Sequence, residues 1–494
     1  MNENLSLDVL RLAKRVLSTR AEKEVERLMK VILKGTPFAN KAFAVGGYVR
    51  DEMLGLGSKD LDVVVEMRNG AEKLTKFIHS EFPSGDISRP RQMGAGYPIW
   101  QITFKRDVTF KGKEYETKGA VIEFADTQKE MFPDEDSRQR ETEFGTLDDD
   151  VKRRDFTVNM LMKDLSTGEV KDLTGVSLSD LKDGLLRGHP SVDLNKILTD
   201  DPLRMMRLIR FQAKYGWKVP LAVLKIVKAN AKRIGIVSGE RIRDELEKVM
   251  KLGKLKTAIK LMKVVGLLEH VFPEIQEMVG VKHDTSRGVH QEGDVFKHTM
   301  LVLQNAKPGV LNQLAALLHD VGKPGTREEI GDKIKFLGHE TVGAEMAEAI
   351  MRRLKFDRQT ITTVKRMVEG HMRPHRLNRK EGFSQKAIRK FIRKVGEEVV
   401  DSILDLAEAD ALGNLPPDNY IPDLRKEIEK IQSTSPVSPK TVLDGGEVMT
   451  LLGLTPGPDV GKALLMVQEW EDDVASKGGI PTKEDAKDYL KENF

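Results

Sequence analysis

Apolar residues recur at helical spacing from residue 8 to 34, and the pattern then shortens to Phe43-Ala44-Val45, an apolar run closed by Gly46-Gly47. That switch of period predicts a helix followed by a short buried strand ending in a turn. Leu61 to Val65 predicts a second strand, and Ile99 to Phe104 and Ala120 to Phe124 two more, giving a small mixed sheet with a helix packed on it. The stretch Asp134 to Asp150 holds eight acids, two arginines and little that is apolar, which predicts an exposed loop, with order returning at Val151. From Pro202 onward the pattern is helical almost throughout, opened by Leu203, Met206, Leu208, Ile209 and Phe211, and no further sheet is expected. The fold class is therefore α+β: a small mixed-sheet head followed by a long all-helical array. Pro- and Gly-containing breaks near Pro273, Gly280, Pro308, Pro374 and the PPDNYIP run at 416–422 help divide the chain into a head (1–165), a helical neck (166–280), a middle helical domain (281–412) and a helical tail (413–494).

At roughly 150 residues per domain, 494 residues fit about three domains, so one active site need not be the whole story. Hydrophobic residues at 39% and charged residues at 32% describe a globular chain able to bury sizeable cores. No apolar run approaches the roughly 20 residues of a membrane span, and the first residues form an amphipathic helix pattern without a signal-peptide core. A cytoplasmic protein with no membrane partner is expected. With no cysteine, disulfides and thiolate zinc sites are excluded, so any metal sits on His, Asp or Glu. The net charge of +4 is small, but it is unevenly spread: 15 Lys/Arg against 3 Asp/Glu from Arg352 to Lys394, and 12 against 4 from Leu221 to Lys263. Each block alone reads as a solvated helix face. Sparse aromatics, 5% of the chain, argue against extensive base stacking and leave backbone contact to a folded nucleic acid.

The most specific constellation is GGYVRDEMLGLGSKDLDVVV, residues 46–65. Residues two apart on a strand share a face, so Asp60 and Asp62 can jointly hold divalent cations, and hard oxygen ligands suit Mg2+. Gly46 and Gly47 let backbone N–H groups approach a triphosphate where a helix begins, and Arg50 adds charge-assisted hydrogen bonds.

This block resembles motif A of the nucleotidyltransferase superfamily, in the form found in class II CCA-adding tRNA nucleotidyltransferases and related bacterial poly(A) polymerases. Arg153-Arg154-Asp155-Phe156-Thr157-Val158-Asn159 is similar to that family's nucleotide- and ribose-recognising motif, with Met160 in place of the usual Ala. Asp201-Pro202-Leu203-Arg204, followed by Arg207 and Arg210-Phe211, resembles the segment that reads base edges, with Asp200 where Glu is usual. The resemblance makes Asp201 and Arg204 a protein template for CTP and ATP, and base edges do offer the donors and acceptors that an acid and an arginine complement. Gly239 to Leu246 resembles a helical motif that braces the neck, and residues 443–470 resemble the C-terminal body of the bacterial enzymes, with Gly457 and Gly461 bracketing a helix start. Gln128 departs from the family, which carries an arginine there.

The resemblance implies addition of CCA to tRNA 3′ ends: the tRNA hydroxyl attacks the α-phosphorus of CTP or ATP and pyrophosphate leaves, with Asp60 and Asp62 holding two metals. Glu123, in the strand VIEF, is the candidate third carboxylate. Arg153, Arg154, Asp155, Asn159 and Arg207 are the further nucleotide-binding candidates.

A second ordered set lies in the middle domain: His298, His319-Asp320 in LLHDVGK, His339, His371 and Asp410. An adjacent His-Asp pair with flanking histidines can converge on a metal. The set resembles the HD-domain phosphohydrolases. That resemblance makes His298, His319, Asp320 and Asp410 ligands of a divalent transition metal, places His339 and His371 at a second site or on phosphate, and sets Lys323 near the phosphate. It implies a 2′,3′-cyclic phosphodiesterase or phosphatase activity. Competing readings of the whole chain are a poly(A) polymerase, an enzyme adding only CC or only A, an HD hydrolase whose head merely binds nucleotide, and a non-catalytic RNA-binding protein. No DNA partner is expected, and the sequence leaves the oligomeric state open.

Overall fold

The computed structural model describes residues 20–57, 60–94, 98–131, 141–283, 293–331, 333–377, 382–434, 437 and 440–494. They fall into two compact units, Met1–Asn230 and Ala231–Phe494, so the sequence divisions at 165, 280 and 412 all lie inside units.

In the first unit, helix α1 runs over 20–32; the earlier part of the helix expected from residue 8 lies outside the described residues. Strand β1 (Ala42–Val45) leads into α2 (Gly47–Met53), β2 (Leu61–Val65) and α3 (Gly70–Ser80). Then come β3 (Arg91–Met93), β4 (Ile99–Thr103), the hairpin β5 (Val108–Phe110) and β6 (Lys113–Tyr115), β7 (Val121–Asp126), and the hairpin β8 (Gln128–Met131) and β9 (Glu141–Phe144). Helix α4 (Leu147–Lys152) precedes β10 (Met162–Asp164) and β11 (Val170–Lys171). The unit closes with α5 (Ser177–Asp183), α6 (Leu194–Asp200), α7 (Leu203–Tyr215) and α8 (Leu221–Asn230). A seven-stranded mixed sheet, ordered β11-β10-β1-β2-β7-β4-β3, forms its floor, with β2 and β7 parallel and the other neighbouring strands antiparallel. Central β1 is buried at all four positions, which accounts for its wholly apolar sequence, whereas β2 is buried everywhere except Asp62.

The acidic stretch is not one loop. Residues 132–140 lie outside the described residues, but order returns well before Val151. Thr146 caps α4 in a reciprocal box with Asp149, and Asp148, Asp149 and Asp150 fill the first turn, where the helix dipole favours negative charge. Leu147 and Val151 pack against Phe43, Val45, Val64, Met160 and Met162, so a run rich in acids is a helix docked on the sheet.

The second unit contains α9 (Gly239–Met250), α10 (Leu255–Val264), α11 (Leu268–Val271), α12 (Pro273–Glu277), α13 (Val295–Asn305) and α14 (Val310–Leu318). A hairpin of β12 (Arg327–Ile330) and β13 (Lys333–Phe336) follows, contrary to the strand-free expectation. Its strands are short and largely exposed, and their charged alternation lacks the apolar run that marks a buried strand. After it come α15 (His339–Arg353), α16 (Arg358–Gly370), α17 (Met372–Leu377), α18 (Gln385–Val395), α19 (Glu397–Gly413) and α20 (Ile421–Thr434). Helices α13, α14, α16 and α19 pack on one another, and α15 packs on α16. The tail, α21 (Gly445–Leu452), α22 (Pro458–Ser476) and α23 (Lys483–Asn493), has its own small core of Leu443, Val448, Ala463, Val467, Ala486 and Leu490. No helix among the described residues is long and apolar enough to cross a membrane.

Candidate active sites

In the first unit, the chain passes from β1 to α2 through Gly46 at φ 66° and ψ −127°, backbone that favours glycine. Arg154 Nη1 lies 3.5 Å from where a Gly46 Cβ would stand, and Arg50 Nη2 is 3.5 Å from the corresponding point on Gly47, so both glycines keep the turn open beside guanidinium groups. Parallel pairing of β2 with β7 sets Asp62 opposite Glu123, and β4 sets Gln101 opposite Glu123 on the other side. Gln101 Nε2 donates to Glu123 Oε1 at 3.0 Å, which holds that carboxylate beside Asp62. Asp60 lies exposed just ahead of β2.

The Asp62 carboxyl is pushed up to about 6, first by desolvation against the sheet and then by the like charges of Glu123 and Asp60, with Arg154 opposing. As a whole residue Asp62 keeps solvent access, so carboxylate crowding is the cause that the strand register makes plain. Crowded carboxylates at a solvent-accessible face fit a hard divalent cation, which would relieve their repulsion.

Beside them runs a buried network. Asp155 accepts from Asn159 Nδ2 at 2.9 Å, from Arg207 Nε at 2.6 Å and from the Phe156 N–H at 2.8 Å. Burial alone would raise its carboxyl, but Arg207 and these hydrogen bonds hold it down at about 2. Asn159 Oδ1 in turn accepts from Arg50 Nη1 at 2.6 Å, while Arg50 Nε donates to Asp51 Oδ1 at 2.7 Å. The Arg50 guanidinium is buried, 5.2 Å from the ring centroids of both Phe211 and Tyr215, and Tyr215 OH donates to Asp51 Oδ1 at 2.7 Å. Arg50 thus braces α2 against α7 through internal partners.

Asp150, which the sequence placed in a loop, is fully buried and receives both Arg153 (Nη2, 2.7 Å) and Arg154 (Nη2, 2.7 Å). The two arginines overcome its burial and hold its carboxyl below the usual range. Arg204, at the start of α7, donates to the carbonyls of Ile197 at 2.9 Å and Arg153 at 2.7 Å, which ties the α7 arginine to the 153–159 segment. Asp201 ends α6 three residues earlier, and its carbonyl accepts from the Arg204 N–H at 2.9 Å.

The second unit gathers its histidines tightly. Two groups of three ligand atoms lie within 4.8 Å of one another, His298/His319/Asp320 and Asp320/His339/His371; both share Asp320, and all five residues are buried. Asp60, Asp62 and Glu123 are not gathered to that extent. His319, His339 and His371 each direct Nδ1 at the carbonyl three residues earlier, Ala316 at 2.9 Å, Phe336 at 2.8 Å and Val368 at 2.6 Å. Those bonds fix the three rings and turn Nε2 of each inward, where it is buried without a hydrogen-bond partner.

Such orphaned imidazole nitrogens around one carboxylate fit a divalent metal. Desolvation, then His319, pushes His371 down to about 3, so it is neutral as a ligand must be. Asp320 is held well below the carboxylate range: burial opposes this, but His319 and Lys323 outweigh it. Lys323 Nζ is 2.6 Å from Asp320 Oδ2, and His298 Nε2 is 2.8 Å from Asp410 Oδ1. Two partners went unread in the sequence: His375 Nε2 lies 2.9 Å from Asp410 Oδ2, and Tyr420 OH is 2.6 Å from His375 Nδ1. His375 sits one helical turn after His371, a spacing that could have marked it; Tyr420 carries no local signal.

Residues 42–187 match the poly A polymerase head domain, 218–278 the probable RNA and SrmB-binding site of polymerase A, and 283–415 the HD domain. The fold resembles that of the Bacillus stearothermophilus CCA-adding enzyme in complex with CTP, at TM-score 0.62 and 18% identity over 96% of this chain and 97% of that one. It also resembles the Thermotoga maritima CCA-adding enzyme complexed with tRNA, at TM-score 0.55 and 19% identity over 94% of each. An A-adding tRNA nucleotidyltransferase of Deinococcus radiodurans is 28% identical over 92% of this chain and 96% of its own. A CC-adding tRNA nucleotidyltransferase of Thermus thermophilus is 31% identical over 91% of this chain and 93% of its own, and with that match the chain belongs to the tRNA nucleotidyltransferase family.

Proposed function

We propose that this protein adds CCA to tRNA 3′ ends from CTP and ATP without a nucleic-acid template, and that its HD centre hydrolyses terminal or 2′,3′-cyclic phosphates. The observation that carries the first activity is the register of β2 on β7, which seats Asp62 against Glu123 beside the Gly46-Gly47 turn. Asp60 and Asp62, with Glu123 adjoining, would hold Mg2+, which when bound supplies charge neutralisation to the α-phosphate and the leaving pyrophosphate.

The chain's own groups do the rest. Arg154, beside Gly46, meets triphosphate charge. Asp150 keeps Arg153 and Arg154 fixed. Asp155, Asn159 and Arg207 shape the sugar side, with Arg50 bracing the pocket from beneath. Asp201 and Arg204 present donors and acceptors to the base edge. The tRNA 3′-oxygen then bonds to the α-phosphorus as the bond to the pyrophosphate breaks, and the hydroxyl proton is released.

The division into head, neck, HD domain and tail, and a cytoplasmic location, belong to the same reading. Its test is Mg2+-dependent incorporation on tRNA transcripts ending before CCA, after C and after CC, with the products sequenced. Termination at CCA is expected. Partial additions would select a CC- or A-adding enzyme, as the Thermus and Deinococcus relatives are named. Long A tails would select a poly(A) polymerase, and no incorporation by folded protein would reject the reading.

In the HD centre, His298, His319, Asp320 and Asp410 would hold one divalent transition metal, and His339 and His371 a second ion or the phosphate. Bound metal would supply an activated water. Asp320→Ala should lose hydrolysis of a 2′,3′-cyclic substrate while retaining nucleotide addition. Absence of hydrolysis by metal-loaded wild type would leave the domain a scaffold.

A further inference from the structure

Outside both centres, the second unit carries a line of three neighbouring hollows with basic walls. The first, about 630 Å³, lies along α15 and α16 and is bordered by Arg352, Arg358, Lys365 and Arg366. A narrow neck of about 60 Å³ is bordered by Arg366, Arg373 and Lys394, with Glu369 lining both it and the first hollow. The third, about 660 Å³, lies between α17, α18 and α22, with Arg373, Arg376, Lys390 and Lys394 over a floor that includes Leu465. Shared residues make the hollows neighbours: Arg366 borders the first and the neck, and Arg373 and Lys394 border the neck and the third.

Many of these cations are already neutralised by the fold. Arg352 pairs with Glu348 at 2.6 Å, Lys365 with Glu345 and Glu348 at 2.7 Å, Arg366 with Glu398 at 2.6 Å and Arg376 with Glu340 at 2.5 Å. Among the described residues, Arg358, Arg373 and Lys394 have neither an ion pair nor a side-chain hydrogen bond, and at least one of them stands in each hollow. A single such cation is an ordinary solvated surface group. Three along one concave surface, set against the one carboxylate there without an ion pair among the described residues, Glu369, leave a net positive potential in it.

We propose that this trough binds the phosphodiester backbone of the tRNA substrate, with Arg358, Arg373 and Lys394 each meeting a phosphate; the proposal rests on the tRNA reading above. An acidic protein would need an aromatic anchor of the kind that holds protein interfaces together. The phenylalanines lining the trough, Phe356 and Phe391, are instead buried in the unit's own core. The second basic block of the sequence, 352–394, thus acquires a role that neither catalytic centre gives it.

The test is the triple variant Arg358→Gln/Arg373→Gln/Lys394→Gln in the full-length protein, with tRNA binding followed by fluorescence anisotropy across a salt series. Each lost phosphate contact lowers the slope of log K against log salt by about 0.7 to 0.9, so the variant should lose about 2 to 3 of slope. At 0.1 M salt it should bind at least about tenfold more weakly. The KM for tRNA in nucleotide addition should rise, with kcat and the KM for CTP and ATP unchanged. The charge-preserving set Arg358→Lys/Arg373→Lys/Lys394→Arg should keep the wild-type slope, which separates loss of charge from loss of fold. An unchanged slope in the Gln variant of an enzyme that adds nucleotides overturns the trough alone. Loss of binding to poly-glutamate with tRNA binding intact would also overturn it, in favour of an acidic protein partner. Wild type that binds tRNA with full slope but adds nothing would instead overturn the activity, leaving the trough.

Discussion

Asp150 holds Arg153 and Arg154 in place, and Asp150→Asn isolates its charge from its shape. Its two oxygens accept five N–H donors: Arg153 Nε at 2.9 Å, Arg153 Nη2 at 2.7 Å and the Gln128 backbone N–H at 3.4 Å on one, Arg154 Nε at 3.1 Å and Nη2 at 2.7 Å on the other. Asparagine keeps one acceptor oxygen and turns an amide toward the second guanidinium. Uncoupling a buried ion pair costs about 3–5 kcal/mol. The arginine side chains are 24% and 16% exposed, so water recovers part of that and the lower end, about 3 kcal/mol, is expected. Because the chain has two units, one global unfolding energy is a poor readout. Native-state hydrogen exchange of peptides covering β1, β2 and 157–159 reports the first unit directly. Three kcal/mol corresponds to roughly hundredfold faster exchange there, with peptides from α13 to α19 unaffected. The sign of the pH dependence follows from linkage: the folded carboxyl is held below its ordinary 3.8, so its stabilisation is complete above that value and is lost as pH falls through the lower folded one. The gap between wild type and variant should therefore be full at pH 7 and begin to narrow below about pH 4. Exchange within about threefold of wild type at pH 7, or a gap that widens on acidification, would refute the reasoning.

Asp62→Ala should lower nucleotide incorporation by at least about a thousandfold, roughly 4 kcal/mol of barrier, and a folded variant with wild-type incorporation removes Asp62 from the active site. With the Asp62 carboxyl at about 6, protons compete with a cation below that value; titration calorimetry should find Mg2+ bound about tenfold more weakly at pH 5 than at pH 7, and a flat profile contradicts the crowding. Arg204→Ala should blur the choice between CTP and ATP more than it slows addition, which competition assays would show; unchanged preference rejects the base-reading role. Gly322→Ala would set a Cβ 2.4 Å from the His339 carbonyl and 2.7 Å from the Gly343 nitrogen, both backbone atoms that cannot swing aside. Displacing the start of α15 should weaken metal binding at the HD centre by at least about tenfold without altering a ligand, and wild-type metal content measured by elemental analysis would argue that α15 shifts freely.

The parts legible in the sequence were those whose signal is local. The Gly46-Gly47 turn, the period-two step from Asp60 to Asp62, and the adjacent His319-Asp320 pair each declare themselves within a few residues. Glu123 could be named as a carboxylate on a strand, but its place opposite Asp62 depends on parallel pairing across about 60 residues, for which no local pattern exists. Asp150 was hidden by its company: among eight acids it reads as solvated, although Arg153 and Arg154 at i+3 and i+4 are the spacing of one helix face. The hairpin β12–β13 was missed because exposed two-stranded ribbons lack an apolar run.

The two centres meet opposite electrostatic demands, and the residue types follow from that. In the head, carboxylates are crowded at a solvent-accessible face, and desolvation together with their repulsion raises Asp62 until a cation or a proton relieves it. That arrangement suits an ion that arrives and leaves with a triphosphate, since neither partner is held by a closed cage. In the HD centre, burial keeps His371 neutral, three backbone carbonyls fix the rings, and Asp320 supplies charge in the middle of both ligand groups. Neutral imidazoles tolerate burial where further carboxylates would not, so a permanently held metal calls for histidine. A head rebuilt with histidines should therefore bind metal independently of nucleotide, whereas wild-type Mg2+ affinity in the head should rise when CTP is present. Equal Mg2+ affinity with and without CTP would show that the head's carboxylates alone make a finished site.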